Sequence, residues 1–383
     1  MATLFERSSI NGLELKNRLV RSATHEGLSD ESGCPTPNLF KLYKRLARGG
    51  VGLIITGYAY VSRDGISPFY RMQAIDRDET IEKYRDLVDH VHQNGAKIAM
   101  QIAHCGRQTF EFVIGTQPIA PSAVADSGTG VIPKEMTEDD IERVIDDFAQ
   151  GARRVKEAGF DAVQIHCAHG YLLSSFISPY TNRRTDQWGG TTENRMRIVH
   201  EIYRRCRVQV GDHYPMLVKY SCRDKMEGGL SVEEGITVGR MLAEMGFDCI
   251  EVSAGIFEDG GSTLFGDAPL GTIPPQAYNL HAARSLKSKI DIPVMLVGGI
   301  SDPAIMHEIV GQGYADYISM GRALICDPNL PGKMENDDSK LVECCHCNLC
   351  TGYCSTLPLR CYYGKKLKDH EPILEHTLVL KHA

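Results

Sequence analysis

A surplus of positive charge is missing from this 383-residue chain, and so is any long apolar run. With 42 lysines and arginines against 49 aspartates and glutamates, the formal net charge is -7. No basic stretch interleaves with aromatics, so nothing here gathers phosphate backbones, and no nucleic-acid partner is expected. No uninterrupted apolar segment approaches the ~18 residues that span a bilayer. The first eighteen residues also carry charges every few positions, so the expectation is a cytoplasmic protein without a membrane partner. What is present, 42% hydrophobic and 24% charged residues, is ordinary for a globular protein large enough to bury a full core.

Short apolar or β-branched runs recur at 19–23, 52–56, 97–101, 161–165, 216–219, 248–252, 293–297 and 317–320, with helical patterns between them. Eight alternations predict an α/β chain closed into a (β/α)8 TIM barrel rather than an open doubly wound sheet. Two helices are well marked: 80–94 stopped by Gly95, and 137–158 stopped by Gly159, the latter opening on Thr137 and three acids. Ile10-Asn11-Gly12-Leu13 reads as a hairpin that plugs the bottom of the barrel. The barrel domain is expected over 1–335 and a Cys-rich C-terminal extension and tail over 336–383, with 365–383 packing on a neighbour. The segments 174–192 and 255–275 are long enough to be read as pocket-shaping loops.

Chemistry concentrates where strands end. His166, His169 and Tyr171 follow the fourth run, placing two imidazoles and a phenol at the mouth where barrels act. Gly298 and Gly299 follow the seventh run, and Gly321 and Arg322 the eighth, which is the common position of a phosphate site. Gln101 ends the third run and Lys219 the fifth, an amide and a cation suited to the pyrimidine edge of a flavin. Of the thirteen cysteines, seven, Cys326 among them, are scattered singly and read as packed thiols. The other six crowd between Cys344 and Cys361.

These residues, with Asn17-Arg18, the run 101–107 and the block 166–195, resemble the Old Yellow Enzyme-type NADH:flavin oxidoreductase family. The branch it resembles includes the barrel portion of 2,4-dienoyl-CoA reductases, and the resemblance runs from Leu4 to about Pro328. It implies an FMN held without covalent attachment, with Ser22, Ala23 and Thr24 on one flank of the ring. Gly57 would lie near the pyrimidine end, Gln101 on that edge and Lys219 beside it, while Gly298, Gly299, Gly321 and Arg322 grip the phosphate. His166 and His169 would bind the carbonyl oxygen of a substrate, and Tyr171 would protonate its α-carbon. NADH or NADPH would reduce the FMN, and the substrate would be an α,β-unsaturated carbonyl or enoyl thioester with an activated C=C bond. Lys219 stands where many relatives have arginine. His25 stands where some have cysteine or threonine, which makes it a candidate contact to ring or substrate.

In 2,4-dienoyl-CoA reductases a similar Cys-x-x-Cys-Asn stretch begins a four-cysteine [4Fe-4S] site. Here the spacing departs after Cys347, leaving a [4Fe-4S] cluster, zinc, or free thiols as readings. The candidate ligand sets are Cys344, Cys347, Cys350 and Cys361, or Cys347, Cys350, Cys354 and Cys361. The stretch that follows is read as too short for the FAD and NADPH domain of those reductases, so an electron-donor protein is one expected partner. Family precedent adds a homo-oligomer. The alternatives are a flavin dehydrogenase or demethylase running in the opposite direction, and a non-catalytic electron-transfer subunit. No cysteine stands beside Lys219 to attach a flavin covalently, which weighs against the nearest demethylases.

Overall fold

The computed structural model describes residues 2–256, 258, 276–336, 344–354 and 356–363. Eight parallel strands close on themselves: β1 (Leu19–Arg21), β2 (Leu53–Ile55), β3 (Lys97–Ala103), β4 (Ala162–Cys167), β5 (Met216–Ser221), β6 (Cys249–Ser253), β7 (Val294–Val297) and β8 (Tyr317–Met320). Each pairs with the next, and β8 returns to β1. This is the expected (β/α)8 barrel. β3, β4 and β5 each run two residues past the ends read from sequence, so Gln101, His166 and Lys219 sit within strands rather than at their tips.

Helices cover the outside because their apolar stripes need a partner. In Glu138–Glu157, Ile141, Val144, Ile145 and Phe148 are buried against the barrel, while the opposite face is charged. Thr137 and Asp140 form a reciprocal capping box at its start. The hairpin of Ser8–Ile10 and Leu13–Leu15 turns through Asn11 (φ 44) and Gly12 (φ 79), the two positive values that a tight two-residue turn needs. Its Ile10, Leu13 and Leu15 join Val20, Leu53 and Tyr317 in one buried cluster inside the barrel, so the hairpin closes the bottom as expected. Asn17 and Arg18 serve the same end, donating to the carbonyls of Gly50 (2.7 Å) and Asp316 (3.3 Å).

The first long segment departs from its expected pocket-shaping role. The segment 174–192 does not shape the cavity, since none of its residues lines it. Phe176 and Trp188 are buried, Asn182 donates to the carbonyls of Phe176 and Trp188, and Arg184 donates to those of Pro121 and Met136. Its length is used to satisfy its own backbone against the barrel wall. Residues 259–275 of the second long segment, and the tail 364–383, lie outside the described residues. Among the described residues no helix is long and apolar enough to cross a membrane.

Candidate active site

β4 delivers His166 as its fifth residue. The chain then bends through His169 (φ 66) and Gly170 (φ 77), two successive left-handed residues, into the short helix Leu172–Ile177. That bend brings three rings together: His166 lies 5.2 Å from His169 and 5.1 Å from Tyr171 between ring centroids, edge to face in both cases. All three line one cavity at the C-terminal end of the barrel.

The imidazoles are held neutral. Burial, with Lys219 adding to it, lowers His169 to about 3. Burial, then His169, then Lys219 pull His166 well below its ordinary value. The Ala168 amide donates to His166 Nδ1 at 3.3 Å, which leaves the ring proton on Nε2. His169 Nε2 is 2.7 Å from Ser253 Oγ, and its backbone N–H donates to Ser221 Oγ at 3.0 Å. Burial, then the neighbouring Tyr58, raise Tyr171 well above the ordinary phenol value, so it stays protonated. His25 stacks on Tyr58 at 5.4 Å, bonds the Tyr70 carbonyl oxygen at 2.8 Å, and is lowered by burial to about 4.

On the same cavity stand Ser22, Ala23, Thr24, Gln101 and Lys219, together with Gly298, Gly299, Gly321 and Arg322. Gly298 has φ 136, and a Cβ there would meet the Tyr278 ring at 2.7 Å, so backbone alone can form that wall. Gly57 is placed elsewhere. Its amide donates to Glu26 Oε1 at 2.8 Å, and a Cβ would collide with that carboxylate, so it faces the buried Glu26–Tyr43–Gln73 network rather than the cavity. His104 and Arg107 of the 101–107 run are likewise structural. His104 pairs with Asp64 at 3.4 Å, and Arg107 donates to the Ala125 carbonyl and pairs with Glu258.

Several neighbours escaped sequence reading. Glu251, wholly buried, lies behind Lys219 and accepts from Ser22, Ser319 and Gln164. Burial raises its pKa, yet Lys219 and these donors hold it below the usual carboxylate range. The signal was available as one acid between Ile250 and Val252 in a fully buried strand, Cys249–Ser253. Tyr58 and Phe69 also line the cavity, as do His346, Thr351 and Cys354 from the extension.

A second, smaller cavity lies beside Arg322 and is lined by Cys344, Cys345, Cys347, Cys350, Cys361 and also Cys326. Cys326 is therefore no scattered thiol, because the turn after β8 carries it to the same place. Cys354 instead faces the main cavity. Among the described residues no three His, Cys, Asp or Glu side chains converge closely enough to hold a metal ion. Arg322 lines both cavities and donates to Asn348 Oδ1.

Residues 3–340 match the NADH:flavin oxidoreductase / NADH oxidase family. The chain is 39% identical over 363 residues to an NADH oxidase from Thermoanaerobacter brockii, covering 94% of this chain and 55% of that protein. It is 37% identical over 330 residues to an NADPH dehydrogenase from Geobacillus sp. (strain WCH70), covering 86% of this chain and 92% of that protein. A solved complex of 2-naphthoyl-CoA reductase with 2-naphthoyl-CoA is similar at a TM-score of 0.88 and 27% identity, over 96% of this chain and 57% of that one. The chain thus spans little more than half the length of the NADH oxidase and of the naphthoyl-CoA reductase.

Proposed function

We propose a function from the premise that the chain belongs to the NADH:flavin oxidoreductase / NADH oxidase family: it is an FMN-dependent NAD(P)H oxidoreductase that reduces the activated C=C bond of an α,β-unsaturated carbonyl or enoyl thioester. The observation that carries this reading is the convergence of two neutral imidazoles and a protonated phenol on one cavity. The residues present fit FMN. Gly298, Gly299, Gly321 and Arg322 offer close backbone and a fixed positive charge to a phosphate. Gln101 and Lys219 offer an amide and a cation to the pyrimidine edge, and Ser22, Ala23 and Thr24 would border the ring.

FMN, when bound, supplies the hydride. The chain's own residues deal with the charge and the proton. Conjugate addition builds negative charge on the substrate oxygen. His166 and His169, as neutral N–H donors, would accept that charge without having to lose a proton, each at a scale of ~3 kcal/mol for a well-placed donor. Ser253 fixes the His169 ring. Tyr171, kept protonated by burial, would deliver the proton to the α-carbon, with His25 and Tyr58 forming the wall beside it. A carrier of electrons alone needs no such donor set, which favours the reductase over an electron-transfer subunit.

The four thiols Cys344, Cys347, Cys350 and Cys361 line one cavity, which supports a [4Fe-4S] or zinc site there in preference to the set containing Cys354. As positioned they do not converge on an ion.

The test is an anaerobic visible spectrum of the FMN-loaded protein, before and after NADH or NADPH and then an enone. Flavin bands that bleach with a nucleotide and return with the enone support the reductase. A protein that retains no flavin overturns the proposal, and a flavin that ignores both nucleotides replaces NAD(P)H with an electron-donor protein.

A further inference from the structure

We propose that Glu251 is a positioning residue for the FMN site, holding Lys219 and Gln101 in place and offsetting the charge of Lys219. The inference rests on the FMN reading above and concerns a residue that neither touches the cavity nor belongs to the motifs that identified it.

Three adjacent strands place His166, Lys219 and Glu251 at one height in the barrel, since His166 is in register with Lys219 and Lys219 with Glu251. One carboxylate oxygen of Glu251 accepts from Ser22 Oγ at 2.6 Å and Ser319 Oγ at 2.7 Å, and stands 3.4 Å from Lys219 Nζ. The other accepts from Gln164 Nε2 at 2.9 Å, and Gln164 Oε1 in turn accepts from Gln101 Nε2 at 2.7 Å. Both side chains suited to the pyrimidine edge are therefore anchored to the same acid, Lys219 directly and Gln101 through one amide.

Such an arrangement has an electrostatic consequence. A lysine alone beside a flavin favours the extra negative charge that comes with reduction. Lys219 is not alone: a full carboxylate lies behind it at 0% exposure, where little water screens the two charges. The pair presents no net charge to the cavity, so bound flavin is harder to reduce than it would be beside an isolated lysine. Burying a carboxylate is costly unless it is paired and fully hydrogen-bonded, and Glu251 meets both conditions at this place.

The experiment measures the midpoint potential of the FMN-loaded protein at pH 7, by anaerobic photoreduction with indicator dyes, for wild type, Glu251→Gln, Lys219→Gln and the double variant. Glu251→Gln, which keeps the shape and removes the charge, is expected to favour reduced flavin at least tenfold, about 30 mV for a two-electron couple. Lys219→Gln is expected to move the potential the other way by a similar amount. The double variant leaves no uncompensated charge and so keeps the test alive should Glu251→Gln fail to fold; it is expected within threefold, about 15 mV, of wild type. A potential unmoved by Glu251→Gln, or a double variant no different from Lys219→Gln alone, overturns the inference. If wild type itself retains no FMN, the proposed function fails and the inference with it, an outcome distinct from bound flavin whose potential does not respond.

Discussion

Tyr58 and Tyr171 meet edge to face, with ring centroids 5.3 Å apart at 61°. Tyr58 donates to Ser67 Oγ at 3.4 Å. The phenol assigned to proton delivery is thus backed by a second phenol from the loop after β2, which fixes its rotamer and keeps its proton.

Tyr171→Phe should slow reoxidation of reduced flavin by an enone ~10²- to 10⁴-fold, the usual range for a lost general acid, while reduction by NAD(P)H stays within a few-fold of wild type. Stopped-flow measurement of the two half-reactions checks this. Equal loss in both would remove Tyr171 from the proton-donor role. Tyr58→Phe should show the same asymmetry at smaller size.

His166→Ala combined with His169→Ala should abolish the long-wavelength charge-transfer band that a bound phenolate forms with oxidised flavin. Titration of the loaded protein with a substituted phenol reads this directly. A band of wild-type strength would mean that the oxygen of the ligand sits elsewhere.

The same histidines make stability depend on pH. His25 near 4 and His169 near 3 lie below the ~6.5 of an unfolded histidine, and His166 is displaced the same way. Between those values the unfolded chain binds more protons. The stability they contribute is therefore whole above pH ~6.5 and lost as pH falls toward the folded values, at up to about 1.4 kcal/mol per pH unit for each. Asp224, pushed up to about 6 by burial, works in the opposite sense over part of that range. The flavin-free protein should lose Tm between pH 6.5 and 4.5 more steeply than a His25→Gln/His169→Gln variant. Parallel profiles would show that the buried rings accept protons in place.

Anaerobic reconstitution with iron and sulfide should give a broad absorbance near ~400 nm that Cys344→Ser and Cys361→Ser lose. Cys354→Ser should keep it, because Cys354 faces the main cavity, and should instead alter the KM for bulky enones. Absence of bound iron or zinc in the wild-type protein would leave the six residues as thiols.

The barrel was legible because its cause is periodic. Eight apolar runs at strand length, separated by stripes such as Ile141, Val144, Ile145 and Phe148, leave few other ways to bury that surface. His169, Tyr171 and Arg322 were legible because whatever follows a barrel strand must point to the mouth, whereas Gln101, His166 and Lys219 stand inside strands that run past their expected ends and reach the same cavity from the barrel wall. The length of 174–192 misled, since a long loop can spend its residues bracing itself, and sequence does not say which.

By itself the sequence determined the order of strands and helices, the hairpin at the bottom and the residue types at the mouth, all of which follow from local pattern. Only the tertiary structure decided that Glu251 stands behind Lys219, that Tyr58 backs Tyr171, that Cys326 meets Cys344 and Cys361, and that the extension lends Thr351 and Cys354 to the cavity wall. Those pairings join residues tens to hundreds of positions apart. What brings them together is closure of the barrel and docking of the extension on it, and neither leaves a periodic trace along the chain.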